Sequence, residues 1–134
     1  MAFGRPFVLC SRFVGVLVTE GGKPAPGIKM VRSWNWGWND RSGHDETVTG
    51  PDGRFEFPAV TGKSLTASIA PHEPSVKQEI IAHSAHGPVT IWSVNKKNYD
   101  MDGELDGRAI NVVCRVDREP SAQGLFWGTC VESK

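Results

Sequence analysis

The sequence predicts an all-β fold, a two-layer antiparallel β-sandwich, on three observations. Apolar residues recur with a period of two, and no stretch sustains a period of 3.6. The segments that alternate are short and rich in Val, Ile, Thr, Phe and Trp, while the 15 glycines and 9 prolines cluster between them. Half-apolar pleated faces bury themselves by packing in pairs, so two layers of about seven to nine strands follow. The 134 residues suit one core. A single domain over 1–134 is expected, with its first strand from about residue 12 and a C-terminal tail at 132–134.

Arg12 to Thr19 reads as that first strand, apolar on both faces through Phe13, Val14, Val16, Leu17 and Val18, which suits a strand covered on both sides. Glu20 to Gly27 supplies glycines for positive φ and prolines that withhold ladder donors, so the chain reverses there. From Ile28 the even positions are Ile28, Met30, Arg32, Trp34, Trp36 and Trp38, and the odd ones Lys29, Val31, Ser33, Asn35, Gly37 and Asn39. A second strand with three indoles on one face follows. Asn39 to Asp45 reads as a polar loop, Glu46 to Thr49 as a short strand, and Gly50-Pro51-Asp52-Gly53 as a tight turn. Arg54 to Pro58 alternates with Phe55 and Phe57 on one face. Later strands are expected at Ser64 to Ala70, Val76 to Ala82, Val89 to Val94, Ala109 to Val116 and Gly124 to Val131. Loops over Pro71 to Pro74, His83 to Pro88, Asn95 to Gly107 and Asp117 to Gln123 separate them.

Lys and Arg total 15 and Asp and Glu total 15, so there is no long-range positive field for a nucleic acid or an anionic membrane. Neither is expected as a partner. Met1 to Cys10 carries Arg5 and Pro6 where a signal peptide needs an unbroken apolar stretch. The 3 cysteines, odd in number and without a CxxC pair, argue against a zinc ribbon or a dense disulfide framework. A reduced cytoplasmic protein is the expectation. Whether Cys114 and Cys130 pair stays open, as does the oligomeric state.

Three runs carry a family resemblance: Phe13-Val14-Gly15-Val16-Leu17-Val18, then Gly22-Lys23-Pro24-Ala25-Pro26-Gly27-Ile28-Lys29-Met30, then Thr49-Gly50-Pro51-Asp52-Gly53-Arg54-Phe55-Glu56-Phe57. They resemble the N-terminal hairpins of carboxypeptidase regulatory-like and transthyretin-like domains. That resemblance implies a β-sandwich and leaves the role open, since such domains serve many functions. The remainder, notably Ala70 to Pro74, Ile91-Trp92, Lys96 to Tyr99 and Ile110 to Cys114, looks like a family of small bacterial proteins of unassigned function. Two enzyme families on related sandwiches do not fit. Hydroxyisourate hydrolases end in Tyr-Arg-Gly-Ser, whereas this chain ends Gly128-Thr129-Cys130-Val131-Glu132-Ser133-Lys134. Intradiol dioxygenases hold iron with two tyrosines, and Tyr99 is the single tyrosine here.

The expected function is therefore a non-enzymatic protein-binding domain that works without a cofactor or metal. A toxin or secreted effector encoded nearby is the expected partner, for which this chain would be an immunity or accessory protein. Trp34, Trp36 and Trp38 are the candidate partner-binding residues, rimmed by Arg32, Asp40, Arg41, His44 and Asp45, because indoles supply large contact area at little rotamer cost. His72 and Glu73, held between Pro71 and Pro74, form a secondary candidate loop. A carbohydrate or cell-wall binding module built on the same tryptophans is the first alternative. A metal-dependent hydrolase using the loop histidines His72, His83 and His86, with Glu73 as base, is the second.

Overall fold

Side-chain alternation is resolved into two sheets sharing one core, plus a small ribbon at one end. The computed structural model describes residues 7–133; Arg5, Pro6 and the signal-peptide reading built on them lie outside that range. The elements run β1 (Phe7–Cys10), β2 (Phe13–Val18), β3 (Lys29–Trp36), β4 (Arg41–Val48), β5 (Arg54–Phe57), β6 (Val60–Gly62), α1 (Leu65–Ile69), β7 (Val76–Ser84) and β8 (Gly87–Lys96). A 3-10 turn at Gly103–Leu105 follows, then β9 (Ile110–Arg115), β10 (Ser121–Ala122), β11 (Trp127–Gly128) and β12 (Cys130–Glu132).

A six-stranded sheet has the order β10-β11-β8-β7-β3-β4, a four-stranded sheet the order β12-β9-β2-β5, and β1 pairs with β6. The fold is thus the expected all-β sandwich. One pairing is parallel: β2 and β9 align from Phe13 opposite Ile110 to Val18 opposite Arg115, joining the start and end of the chain. Phe13, Leu17, Phe55 and Phe57 from one sheet meet Met30, Ile80, Ile91 and Trp92 from the other, all 2% exposed or less. Trp92 stands edge-on to Phe13 at 5.0 Å and stacks on Phe126 at 4.4 Å. Burying each such side chain contributes about 1.5–3 kcal/mol. The expected Gly50–Gly53 turn is present, with Gly53 at φ 80.

Seven expectations are corrected. Asn39 to Asp45 is not a loop: the turn is confined to residues 37–40, where Asp40 takes φ 53, and β4 starts at Arg41. Its polarity reflects an edge strand rather than a connection. Ser64 to Ala70 forms a helix instead of a strand, because the Ser64 Oγ caps it by accepting from the Ala67 amide at 3.2 Å. Gly124 to Val131 is not one strand: Gly124 to Phe126 lie outside any strand, and the chain breaks at Thr129 as it leaves the six-stranded sheet for the four-stranded one. β7 extends to Ser84, so His83 sits on a strand rather than in a loop. β1 precedes the expected start near residue 12, and Glu132 belongs to β12 rather than to a tail. Finally, Val14 and Val16 point to the outer side of the four-stranded sheet and stay half-buried, so β2 is not covered on both sides by the described residues.

Candidate functional site

β3 carries two of the three tryptophans, Trp34 and Trp36, and ends before Trp38. Period two puts Met30, Arg32 and Trp36 on the core face of β3, each 1% exposed or less. Trp36 donates its Nε1–H to the Tyr99 hydroxyl at 3.0 Å. Trp34 is half-buried and lies across Gly43, its partner on β4, where a Cβ would stand 2.5 Å from the indole. Trp38 lies in the turn after β3, half-buried, with its ring 4.2 Å from that of His72. The trio is therefore packing for a satellite core with Leu9, Ala67 and Val76 and does not form an exposed platform.

Arg32 is also corrected from rim to interior. Its guanidinium grips Asp45 through two bonds of 2.9 and 2.6 Å and donates to the Pro58 carbonyl at 2.7 Å. It lies 4.8 Å from the Phe57 ring centroid. A fork satisfied this way is the arrangement in which a buried charge is tolerated. Arg32 is thus enclosed, while the Asp45 side chain that pairs it remains 27% exposed. Asp40 accepts from the Asn35 amide at 3.0 Å, and Arg41 is exposed at the start of β4. Of the eight residues expected to form the site, Trp34 and His44 line the groove described below.

His72 is likewise committed to structure. The Ala70 carbonyl can only accept, so His72 Nδ1–H donates to it at 3.0 Å, leaving Nε2 to accept at 2.6 Å from the Tyr99 hydroxyl, which itself accepts from Trp36. The neighbouring Glu73 is exposed and has no part in this chain. His83 lies near the far end of β7 from His72, about 24 Å along a strand. The loop histidines are not brought together, and among the described residues no three His, Cys, Asp or Glu could hold a metal ion.

Other interior polar groups are also paired. Glu104 accepts from the Ser11 amide, the Ser11 hydroxyl and Gln78 at 2.9, 2.6 and 2.8 Å. The Lys96 ammonium reaches the carbonyls of Val8, Asn98 and Asp100. Burial holds Lys96 below the usual lysine range and pushes the Cys10 thiol up to about 12. Cys114 and Cys130, opposed on β9 and β12, form a disulfide and are both fully buried. Among the described residues no buried side-chain N or O lacks a hydrogen-bond partner.

Unpaired polar chemistry is found on the outer face of the six-stranded sheet. Directly opposed residues share a face, so one row crosses five strands: Trp127, Ser93, Glu79, Ser33, His44. The adjacent row is Asn95, Lys77, Asn35, Ser42. Without Trp127 they line a groove of about 740 Å³, whose wall also includes Trp34, Gln78 and Val94; Trp127, 46% exposed, continues the first row beyond that lining. Among the described residues the side chains of Ser33, His44, Lys77, Glu79 and Ser93 have no partner in the chain, and none joins an ion pair. The opposite outer face differs, because its Arg12, Arg54 and Glu56 are paired with one another at 2.8 and 3.9 Å. Reading the odd positions of β3, β7 and β8, instead of the aromatic even ones, would have found this groove.

Fold and surface define a β-sandwich domain with a groove of unpaired polar side chains on one outer sheet face. The chain belongs to a family: a model described as Domain of unknown function (DUF6795) matches residues 14–119, from β2 through β9. Trp127 and Cys130 lie beyond the matched span. No curated protein and no solved structure matches the chain. Among the described residues no helix is long and apolar enough to cross a membrane.

Proposed function

We propose that this chain is a non-enzymatic recognition domain that holds its partner on the outer face of the six-stranded sheet. One observation carries the reading: polar valences are paired throughout the interior, while Lys77, Glu79, His44 and two serines stand together in an outer groove without partners among the described residues. Its volume of about 740 Å³ falls in the usual range of ligand sites, roughly 300–1,000 Å³. The Cys114–Cys130 disulfide supports a working place in an oxidising compartment rather than the reduced cytoplasm expected from the N-terminal residues.

A second reading keeps a protein partner, with the domain acting as an immunity or accessory protein of a toxin or secreted effector. Leu65 and Ile69 favour it, since they lie one turn apart on α1 and are 63% and 64% exposed. Amide chemical-shift mapping separates the two, using ¹⁵N-labelled protein titrated with a library of small polar compounds and with fractionated lysate. Shifts clustered on β3, β7 and β8 are expected. Shifts clustered on α1 transfer the role to the protein partner, and turnover of any library compound ends the non-enzymatic reading.

A further inference from the structure

We infer that the outer-face groove takes an uncharged saccharide, with a sugar ring stacked on Trp127 and its hydroxyls held by the rows beside it. This rests on the reading of that face as the recognition surface and names its ligand class. Three features of the groove select that chemistry.

The first is charge. Lys77 and Glu79 stand two residues apart on the same face of β7, one cation and one anion, each without a partner among the described residues. The two formal charges cancel, so an anionic polymer or a phosphate finds no excess positive field. What the pair does offer is a strong donor beside a strong acceptor. A hydroxyl group is donor and acceptor at once, and vicinal sugar hydroxyls satisfy both neighbours together.

The second feature is the polar floor. Ser33 and Ser93 flank Glu79, and Asn35 and Asn95 flank Lys77, so the centre of the sheet carries short hydroxyls and amides around one charge pair. A protein–protein interface needs an apolar centre and is depleted of charge there. This groove instead carries the Lys77 and Glu79 charge pair in mid-sheet. The first row runs from Trp127 at one end to His44 at the other, with Ser93, Glu79 and Ser33 between them.

The third is the indole. Trp127 pairs with Ser93 and lies two strands from Glu79, about 10 Å across the sheet. That spacing lets a ring stacked on the indole present its edge hydroxyls to Ser93 and Glu79. Phe126, the preceding residue, is buried against Trp92, so the hairpin that holds Trp127 is anchored in the core. An anchored aromatic loses little freedom on binding.

The test uses the full chain with its disulfide intact. Cello-, malto-, xylo- and chito-oligosaccharides are titrated one by one, with polygalacturonate as the charged control, and read by calorimetry, indole fluorescence and amide shifts. At least one neutral series is expected to bind, shifting amides of β7, β8 and β11. Trp127→Ala and Glu79→Gln should each weaken it roughly tenfold or more, while Leu65→Ala leaves it unchanged. Because Trp127 is exposed, its removal leaves the fold intact, which circular dichroism checks. Binding of polygalacturonate alone, or neutral binding that Trp127→Ala does not weaken, overturns the proposal. If no saccharide moves the groove amides but a peptide or lysate protein does, the saccharide falls and the recognition face stands. If nothing moves them, both fall.

Discussion

The Cys114–Cys130 disulfide makes a quantitative claim about stability. It joins positions 16 residues apart and ties β12 to β9 at the edge of the four-stranded sheet. Closing a loop of that length removes about 10 cal/mol/K of chain entropy from the unfolded state, about 3 kcal/mol at 25 °C. Unfolding a chain of 134 residues carries an entropy of about 0.28 kcal/mol/K, so losing the bond should lower the melting temperature by about 10 °C. Both sulfurs are buried, so reductant acts slowly on the native state and the double variant Cys114→Ala/Cys130→Ala is the cleaner perturbation. Thermal and urea unfolding of oxidised wild type and of the variant measure the difference, and thiol titration of the unfolded, unreduced protein counts the bond. Coincident melting curves within about 2 °C, or three titratable thiols in the unfolded oxidised protein, would refute the disulfide's structural role.

Three further outcomes follow from buried groups. Arg32→Met leaves Asp45 without its bidentate partner and should destabilise by about 3 kcal/mol, seen as a lower urea midpoint at constant slope; a loss under about 1 kcal/mol contradicts the pairing. Gly43→Val puts branched carbon where the Trp34 indole lies, so fluorescence should shift to the red and stability fall by about 1–3 kcal/mol; unchanged emission means the indole lies elsewhere. Burial pushes the Cys10 thiol up to about 12, whereas an unfolded thiol ionises near about 8.5. The unfolded state then binds fewer protons between those values, so this contribution is present below about 8.5 and is lost as pH rises toward 12, by up to about 1.4 kcal/mol per unit. Lys96, held low by burial, contributes the opposite sign, so the comparison is wild type against Cys10→Ala, and parallel pH profiles would exclude the effect.

The fold was largely legible because alternation is a local signal. β2, β3, β5, β7, β8 and β9 fall where period two places them, and Phe55 and Phe57 share one face as expected, which is the core face. The misses have local causes. Ser64 to Ala70 contains residues that suit either state, and a single Ser64 cap decided for helix. β4 is polar because its edge position leaves it half in water, and polarity alone reads as loop. The site was less legible. Aromatic content marked β3 correctly as important, yet it could not tell an inward indole from an outward one, because Arg32 on the same face looked like a surface residue until Asp45 on β4 was placed opposite it. Trp127, isolated in sequence, acquires its meaning from its register with Ser93 on a strand 34 positions earlier.

The residues of the outer rows are a poor choice for stability alone. The middle of a six-stranded sheet favours β-branched and aromatic cross-strand pairs, each worth roughly 0.2–1 kcal/mol over small residues. The two rows nearer the Lys29 end follow that preference in part, with Val31 and Ile81 opposed across β3 and β7. At Ser33, Asn35, Ser93 and Asn95 the same strands switch to short polar side chains around an unpaired lysine and glutamate. Solubility does not require this, since charge on the edge strand already serves it. Where a sequence obeys local preference along most of a strand and breaks it over two adjacent rows, those rows answer to something other than folding. Restoring the preference with Ser33→Thr and Ser93→Val should therefore raise stability while filling the groove and abolishing whatever it binds. A gain in melting temperature with binding retained would place the ligand elsewhere.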